Sequence, residues 1–346
     1  MARLLEAAVT PSTFRKYKSA FAHWAAFLSS SEDPENSTAE RYGAYLEHAV
    51  EAGKSISFIE TVTAAISHFH LAHFRVSPTS HPAAKRALTA ARKLLTSPVK
   101  RAKPLTPELL RDVHAIALAR NDFVTWRTYW RMSMCFHGLM RWSDVAILRV
   151  RHVRVSRSSV HLTIPRSKTD QVGQGCDLVI SASPGSAYCP VALTRKYLAF
   201  FGSEDGWLQP RLLPTASGPD ERRRLSYSTS LSDLRRLIER TGRNPQDFSE
   251  HSGRRGGASL AHKEGLSWLD IKRMGRWKSD TASQKYIDTL TGPDNPVSAK
   301  LARCVSISST NSAAAPMSSP RATASTPSVS RVTVPGYKGS LFWKKK

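Results

Sequence analysis

The stretch Phe248-Ser249-Glu250-His251-Ser252-Gly253-Arg254-Arg255-Gly256-Gly257-Ala258-Ser259, followed by Gly275-Arg276-Trp277-Lys278-Ser279-Asp280 and then Tyr286, decides how this chain reads. His251 and Arg254 are three apart, so at a helix start they point to one side together. Alone, a histidine in that place reads as a satisfied helix cap. Arg255 adjoins Arg254, and the His-x-x-Arg spacing selects Arg254 as the inward one. Glycines at 256 and 257 cost a helix stability, so they predict a close backbone neighbour, from protein or from nucleic acid. Trp277 and Tyr286, nine apart, would face opposite sides of one straight helix. Ser279 or Asp280 can cap a new short helix bearing Tyr286, which would turn both rings toward one cleft. The competing reading makes Tyr286 and Ile287 core residues.

Two upstream pieces extend this set. Arg141 follows Gly138 in Gly-Leu-Met-Arg-Trp-Ser-Asp, with Asp144 three residues on. That pair is either a surface ion pair or a buried fork that Asp144 holds rigid for clamping oxyanions. Apolar Met134-Cys135-Phe136 favours burial. Lys168 sits in a polar turn, Arg-Ser-Lys-Thr, where most lysines are simply solvated. Other chemistries lack their signatures: there is no phosphate-binding Gly-rich loop ending in Gly-Lys-Ser/Thr, no Gly-x-Gly-x-x-Gly and no His-Glu-x-x-His. A spaced acidic cluster for two metal ions is also missing. Charge stabilisation on a phosphate would then fall to Arg, Lys and His, and no cofactor is expected.

Charge points to the partner class. The 346 residues carry 51 basic and 27 acidic side chains, a net +24. The excess is uneven: residues 1–97 hold 11 basic and 8 acidic groups, 98–295 hold 32 and 19, and the last 51 hold 8 and none. A basic folded segment expects a polyanion, because Lys and Arg displace condensed counterions from phosphates. Cys135, Cys176, Cys189 and Cys304 form no Cys-x-x-Cys pair and no zinc spacing, and read as reduced thiols. No apolar run is long enough for a bilayer, so an intracellular protein with no membrane partner is expected.

The chain divides by pattern. Phe14, Tyr17, Phe21, Trp24 and Leu28 make an apolar helix stripe after a Thr10-Pro11 start. A second helix follows Ser37, with Glu40 completing a capping box. A third carries Phe58, Val62, Ile66, Phe69 and His73, and a fourth begins near Pro82. On the third, His68, His70 and His73 lack any carboxylate or Cys companion and predict no metal site. Lys85, Arg86, Arg92 and Lys93 crowd the fourth; each is ordinary as a solvated cation, but together they are a candidate phosphate contact. Residues 98–104, with Lys100, Arg101 and Lys103 between prolines, read as an extended basic linker. Thr106-Pro107-Glu108 opens a second domain, 105–295. There, residues 160–165 and 176–180 are expected to pair as strands around the Lys168 turn. Residues 209–228 look like a mobile basic loop. Residues 296–346 are low-complexity and basic, the composition of a disordered tail.

Taken together, these residues resemble the tyrosine recombinase (phage-integrase-like) family. The match runs from the helical first segment to about residue 287. The His-Ser-Gly-Arg-Arg-Gly-Gly and Gly-Arg-Trp-Lys-Ser-Asp strings look most like recombinases of eukaryotic mobile elements, of DIRS-like or Crypton type. The resemblance implies a mainly α fold with a small β-sheet: a helical core-binding domain (1–97) and a mixed α+β catalytic domain. It implies Tyr286 as nucleophile forming a 3′-phosphotyrosyl link, with Arg141 and Arg254 on the non-bridging oxygens. His251 would accept a proton and touch phosphate, Lys168 would protonate the leaving 5′ oxygen, and the Trp277 indole N–H would donate to the phosphate. It further implies site-specific DNA recombination or integration without ATP or metal, and four protomers on two double-stranded DNA sites. Nuclear residence would follow. Departures are Gly253, where a larger apolar residue is common, and Arg276, where related elements often have Asp. The alternative is a catalytically inactive DNA-binding relative; a basic packaging protein or a type IB topoisomerase fits the full set less well.

Overall fold

The computed structural model describes residues 8–96, 101–167, 170, 173–214, 218–284 and 286. Lys100, Lys168 and the expected tail at 296–346 lie outside them. The chain separates into two compact units, Met1–Ala102 and Lys103–Lys346.

The first unit has four helices among the described residues: α1 (Pro11–Phe27), α2 (Ala39–Glu51), α3 (Ile56–Ala72) and α4 (Pro82–Leu94). Thr10 caps α1 by accepting from the Thr13 backbone N–H, which satisfies one of the orphan donors of a helix start. The cap of α2 is Thr38, accepting from Arg41 N, and not Ser37 as the sequence suggested; the Ser37 hydroxyl instead faces His70 Nε2 at 3.3 Å. Trp24, Tyr42, Leu46, Ile59, Val62 and Ile66 form the core. His70 is buried in it with its Nδ1 on the Ile66 carbonyl oxygen at 2.8 Å. It is a structural residue, and burial pulls its pKa down. His73 caps the C-terminus of α3 instead of lying within it.

The second unit is organised around α6 (Phe123–His137), which follows α5 (Pro107–Arg120). Every residue of α6 from Thr125 to Phe136 is buried, so this helix has no solvent face and is wrapped on all sides. A short α7 (Trp142–Val145) leads to an antiparallel sheet of β1 (Val153–Val155), β2 (Ser159–Ile164) and β3 (Cys176–Ser181). Val160 pairs with Ile180 and Leu162 with Leu178; these alternate side chains all join the core. Beyond α8 (Pro190–Leu198), the expected loop at 209–228 contains a second antiparallel pair, β4 (Pro210–Leu212) and β5 (Pro219–Arg224). Its prolines occupy the first position of each strand, where no ladder donor is lost. Then come α9 (Tyr227–Glu239), α10 (Ser252–Lys263), α11 (Trp268–Gly275) and α12 (Asp280–Gln284). Lys103, placed in the linker by sequence, is bound to this unit: its N–H donates to the Asp247 carbonyl at 2.7 Å and its ammonium meets the Asp247 carboxylate at 2.8 Å. Among the described residues, no helix is long and apolar enough to cross a membrane.

The glycines of α10 settle which backbone comes close. A Cβ at Gly256 would strike the Leu105 carbonyl oxygen, one at Gly257 the Phe136 carbonyl oxygen, and one at Gly253 the Cys135 side chain. The close neighbour is therefore protein main chain. The small residue at 253 is required because α10 lies directly on α6.

Candidate active site

α10 starts at His251, whose side chain makes no cap hydrogen bond and is exposed. One turn on, Arg254 is fully buried. Its guanidinium donates to the carbonyl oxygens of Leu139 and Gly275. Leu139 adopts a left-handed backbone, φ 45°, which is strained for a bulky residue. The bend follows Gly138, the C-cap of α6, and leads directly into Arg141, the N-cap of α7. Arg255 is also buried, and Arg254 is the arginine that meets the other candidates.

Those candidates converge. Trp277 stacks under Arg254, its ring centroid 4.0 Å from the guanidinium carbon. The Trp277 ring folds back over Gly275, where any Cβ would collide with it. That is the physical content of the Gly-x-Trp spacing. Tyr286 packs its ring 5.4 Å from Trp277 and 5.1 Å from the Arg254 guanidinium. Its hydroxyl lies 3.3 Å from His251 Nδ1. Tyr286 therefore borders the small cluster of Leu139, Ala258, Ile271 and Trp277 with its phenol oxygen turned to the histidine. It follows α12 in a turn and does not sit on that helix, contrary to the sequence reading.

Asp144 is the only carboxylate among the described residues in contact with these guanidinium groups, and it is completely buried. It accepts from Arg276 Nη2 at 2.8 Å and from the Arg141 backbone N–H at 3.3 Å. The Arg141 Nη1 stands 3.8 Å away. Arg276 is thus a member of the site that sequence reasoning set aside as a departure. Its signal was its place between Gly275 and Trp277. The residue takes a left-handed conformation, φ 54°, and closes α11.

Arg276 and Arg141 share one carboxylate and Arg254 has none, and the surplus of positive charge shows in both hydrogen bonding and electrostatics. Arg141 Nη1, Arg254 Nε, Arg276 Nε and Nη1, and Trp277 Nε1 are buried without a hydrogen-bond partner within the protein. Such groups are rare in folded proteins and costly. Burial pulls Arg254 down to about 9, and the neighbouring positive charges of Arg141 and Arg276 push the same way. Arg254 therefore remains charged at neutral pH. An oxyanion against these donors would satisfy them and offset the charge.

The other expected residues are dispersed. Lys85, Arg86, Arg92 and Lys93 are exposed on α4, and Arg92 pairs with Glu60 at 2.8 Å. Arg101 is exposed near the unit boundary. No group of three or more potential metal ligands occurs among the described residues.

Comparison with known proteins bears on the fold. No protein-family model matches the chain. An integrase/recombinase xerD homolog from Selenomonas ruminantium is 26% identical over 159 residues, covering 44% of this chain. The chain likewise spans 44% of that relative's length. The Tn1549 transposon integrase (residues 82–397), solved with circular intermediate DNA, superposes with a TM-score of 0.56 at 12% identity, over 84% of this chain and 94% of that one. Lambda integrase, solved as a dimer on a COC′ core site, gives 0.54 at 17% identity, over 81% and 72%. The fold is that of lambda-integrase-like tyrosine recombinases. The proteins it resembles in sequence and in structure are described as integrases and recombinases.

Proposed function

We propose that this chain is a DNA strand transferase of the tyrosine recombinase type, acting in site-specific recombination or integration. The observation that carries the reading is the placement of the Tyr286 hydroxyl, 3.3 Å from His251 and beside guanidinium groups with unpartnered donors. In this reading the Tyr286 oxygen attacks the scissile phosphorus and its proton passes to His251 Nδ1. The bond from phosphorus to the 5′ oxygen breaks, and Lys168 supplies the proton that leaving oxygen needs. The 3′-phosphotyrosyl link can then be reversed by another 5′-hydroxyl, so strands can be exchanged. Arg141, Arg254 and Trp277 donate to the non-bridging oxygens, where charge develops in the transition state. Double-stranded DNA is the partner, gripped also by the exposed cations of α4 and the basic 98–104 stretch.

The finer reading is a recombinase of a eukaryotic mobile element of DIRS-like or Crypton type, acting in the nucleus as four protomers on two sites. It rests on the His-Ser-Gly-Arg-Arg-Gly-Gly and Gly-Arg-Trp-Lys-Ser-Asp strings. The decisive experiment is covalent trapping on a nicked duplex built from the DNA flanking the chain's own coding region. Wild type should form an adduct that survives denaturant, with or without chelator. Tyr286→Phe should bind the duplex equally and form none. If wild type binds that duplex but never becomes linked to it, the catalytic reading fails and a DNA-binding relative takes its place.

A further inference from the structure

Arg276 is partly buried, yet it uses only one of its three guanidinium nitrogens, Nη2, on Asp144, while Nε and Nη1 are buried without a partner. The same Asp144 oxygen lies in reach of the Arg141 side chain, and Asp144 is the one acid paired with Arg141 among the described residues. Two partly buried arginines therefore compete for one acceptor. Arg276 holds it at 2.8 Å, while Arg141 stands off at 3.8 Å with Nη1 lacking a hydrogen bond. Removing Arg276 would leave the buried carboxylate with Arg141 as its one side-chain cation. A buried charge recruits whatever partner it can reach, and closing about 1 Å needs only a rotamer adjustment.

We infer that Arg276 is a positioning residue that sequesters Asp144 and thereby keeps the Arg141 guanidinium free for a substrate phosphate. The inference rests on the proposed reading of this site as a phosphate-binding centre, and extends it to a residue outside the expected set. It makes Asp144 a switchable competitor: engaged by Arg276 it only orients Arg141 through the backbone N–H, and released it neutralises Arg141 as an internal anion. Arg276 takes its left-handed turn at the end of α11, where its side chain reaches Asp144 of α7. A residue fixed there only for packing would have no such effect on Arg141.

The test is a double-mutant cycle of Arg276→Gln and Asp144→Asn in the full chain. It is read first by stabilisation with inorganic phosphate at constant ionic strength, with chloride as control. Arg276→Gln should weaken phosphate binding by about 10–100-fold, the range for losing a charge-assisted contact. Adding Asp144→Asn should recover at least about tenfold of that. Asp144→Asn alone, where Arg276 already engages the side chain, should change affinity much less. Strict additivity of the two substitutions would overturn the inference, as would wild-type affinity in Arg276→Gln. Should Arg276→Gln fail to fold by circular dichroism, Arg276→Lys replaces it: one ammonium keeps the charge but loses the fork, and the same coupling is required. Adduct formation on the nicked duplex is the second readout and should follow the same order. Phosphate coupling without any adduct would retain Arg276's role and reject the strand-transfer reading. Wild-type adducts with additive phosphate effects would do the reverse.

Discussion

Two groups of buried arginines lie in the second unit, and they are wired in opposite ways. On α6, Arg127 donates to the Asp233 carboxylate at 2.7 Å and to the Pro210 carbonyl oxygen. Arg131 spends all three nitrogens, on Glu250, Gln209 and the Ser230 carbonyl oxygen. Each of these arginines has its own acid. Around Asp144, by contrast, Arg141 and Arg276 divide one carboxylate, Arg254 has none, and the three leave four guanidinium nitrogens unpartnered. Burial is common to both groups, so burial alone does not mark function. The mark is a shortfall of acids: each arginine of the first group has its own carboxylate, although Arg127 Nε lacks a partner, whereas the second group has one carboxylate for three guanidinium groups and room for an anion from outside.

The contrast can be broken most forcefully at the closed group. Arg131→Ala should destabilise the fold by about 3–5 kcal/mol, because it strands Glu250 as an uncompensated buried charge. Urea unfolding measures this, and a loss below about 1 kcal/mol would show that the network is not closed. At the open group, Arg254→Ala should slow adduct formation by about 10²–10³, since one oxyanion donor is lost, while duplex affinity changes little. Equal losses in binding and rate would mean that Arg254 only positions the ground state.

The pH response sharpens the same point. Arg254's folded pKa is depressed, so the group is cationic below about 9 and loses its proton as pH rises through that value. Affinity for sulfate, whose charge is constant over this range, followed by ligand-induced stabilisation, should weaken as pH rises above about 9. Arg254→Gln should lack that inflection. Gly257→Ala, which forces a methyl against the Phe136 carbonyl, should cost about 1–3 kcal/mol by thermal unfolding. The smallest effect belongs to the exposed α4 cations. Arg92→Ala, which opens the pair with Glu60, should change stability by only about 0–1 kcal/mol. If α4 contacts phosphates, the same variant lowers the slope of duplex affinity against salt by about one. An unchanged slope would remove α4 from the interface.

Local rules made much of this legible. Thr10-Pro11 and Thr106-Pro107 start helices where capping predicts, and the β2–β3 pairing follows from alternating apolar residues on one buried face. The failures have physical causes. Pro210 and Pro219 were read as loop breakers because sequence does not reveal that each would open a strand. Ser37 and Thr38 are chemically equivalent caps, and the choice was made by His70, 33 residues away, through tertiary packing. Arg276 was missed because its importance depends on Asp144, distant by 132 positions. Counting acids against the basic groups near 141 and 254 would have exposed the imbalance, but only after knowing that those segments meet.

The seating of α10 has a consequence for divergence. Where Gly256 and Gly257 press helix backbone directly onto the carbonyls of Leu105 and Phe136, the aim of Arg254 is fixed by main-chain contacts that only glycine permits. Replacement of aromatic or aliphatic fillers elsewhere has little leverage on it. A scaffold mounted in this manner holds its guanidinium through two backbone contacts and not through the fillers around them.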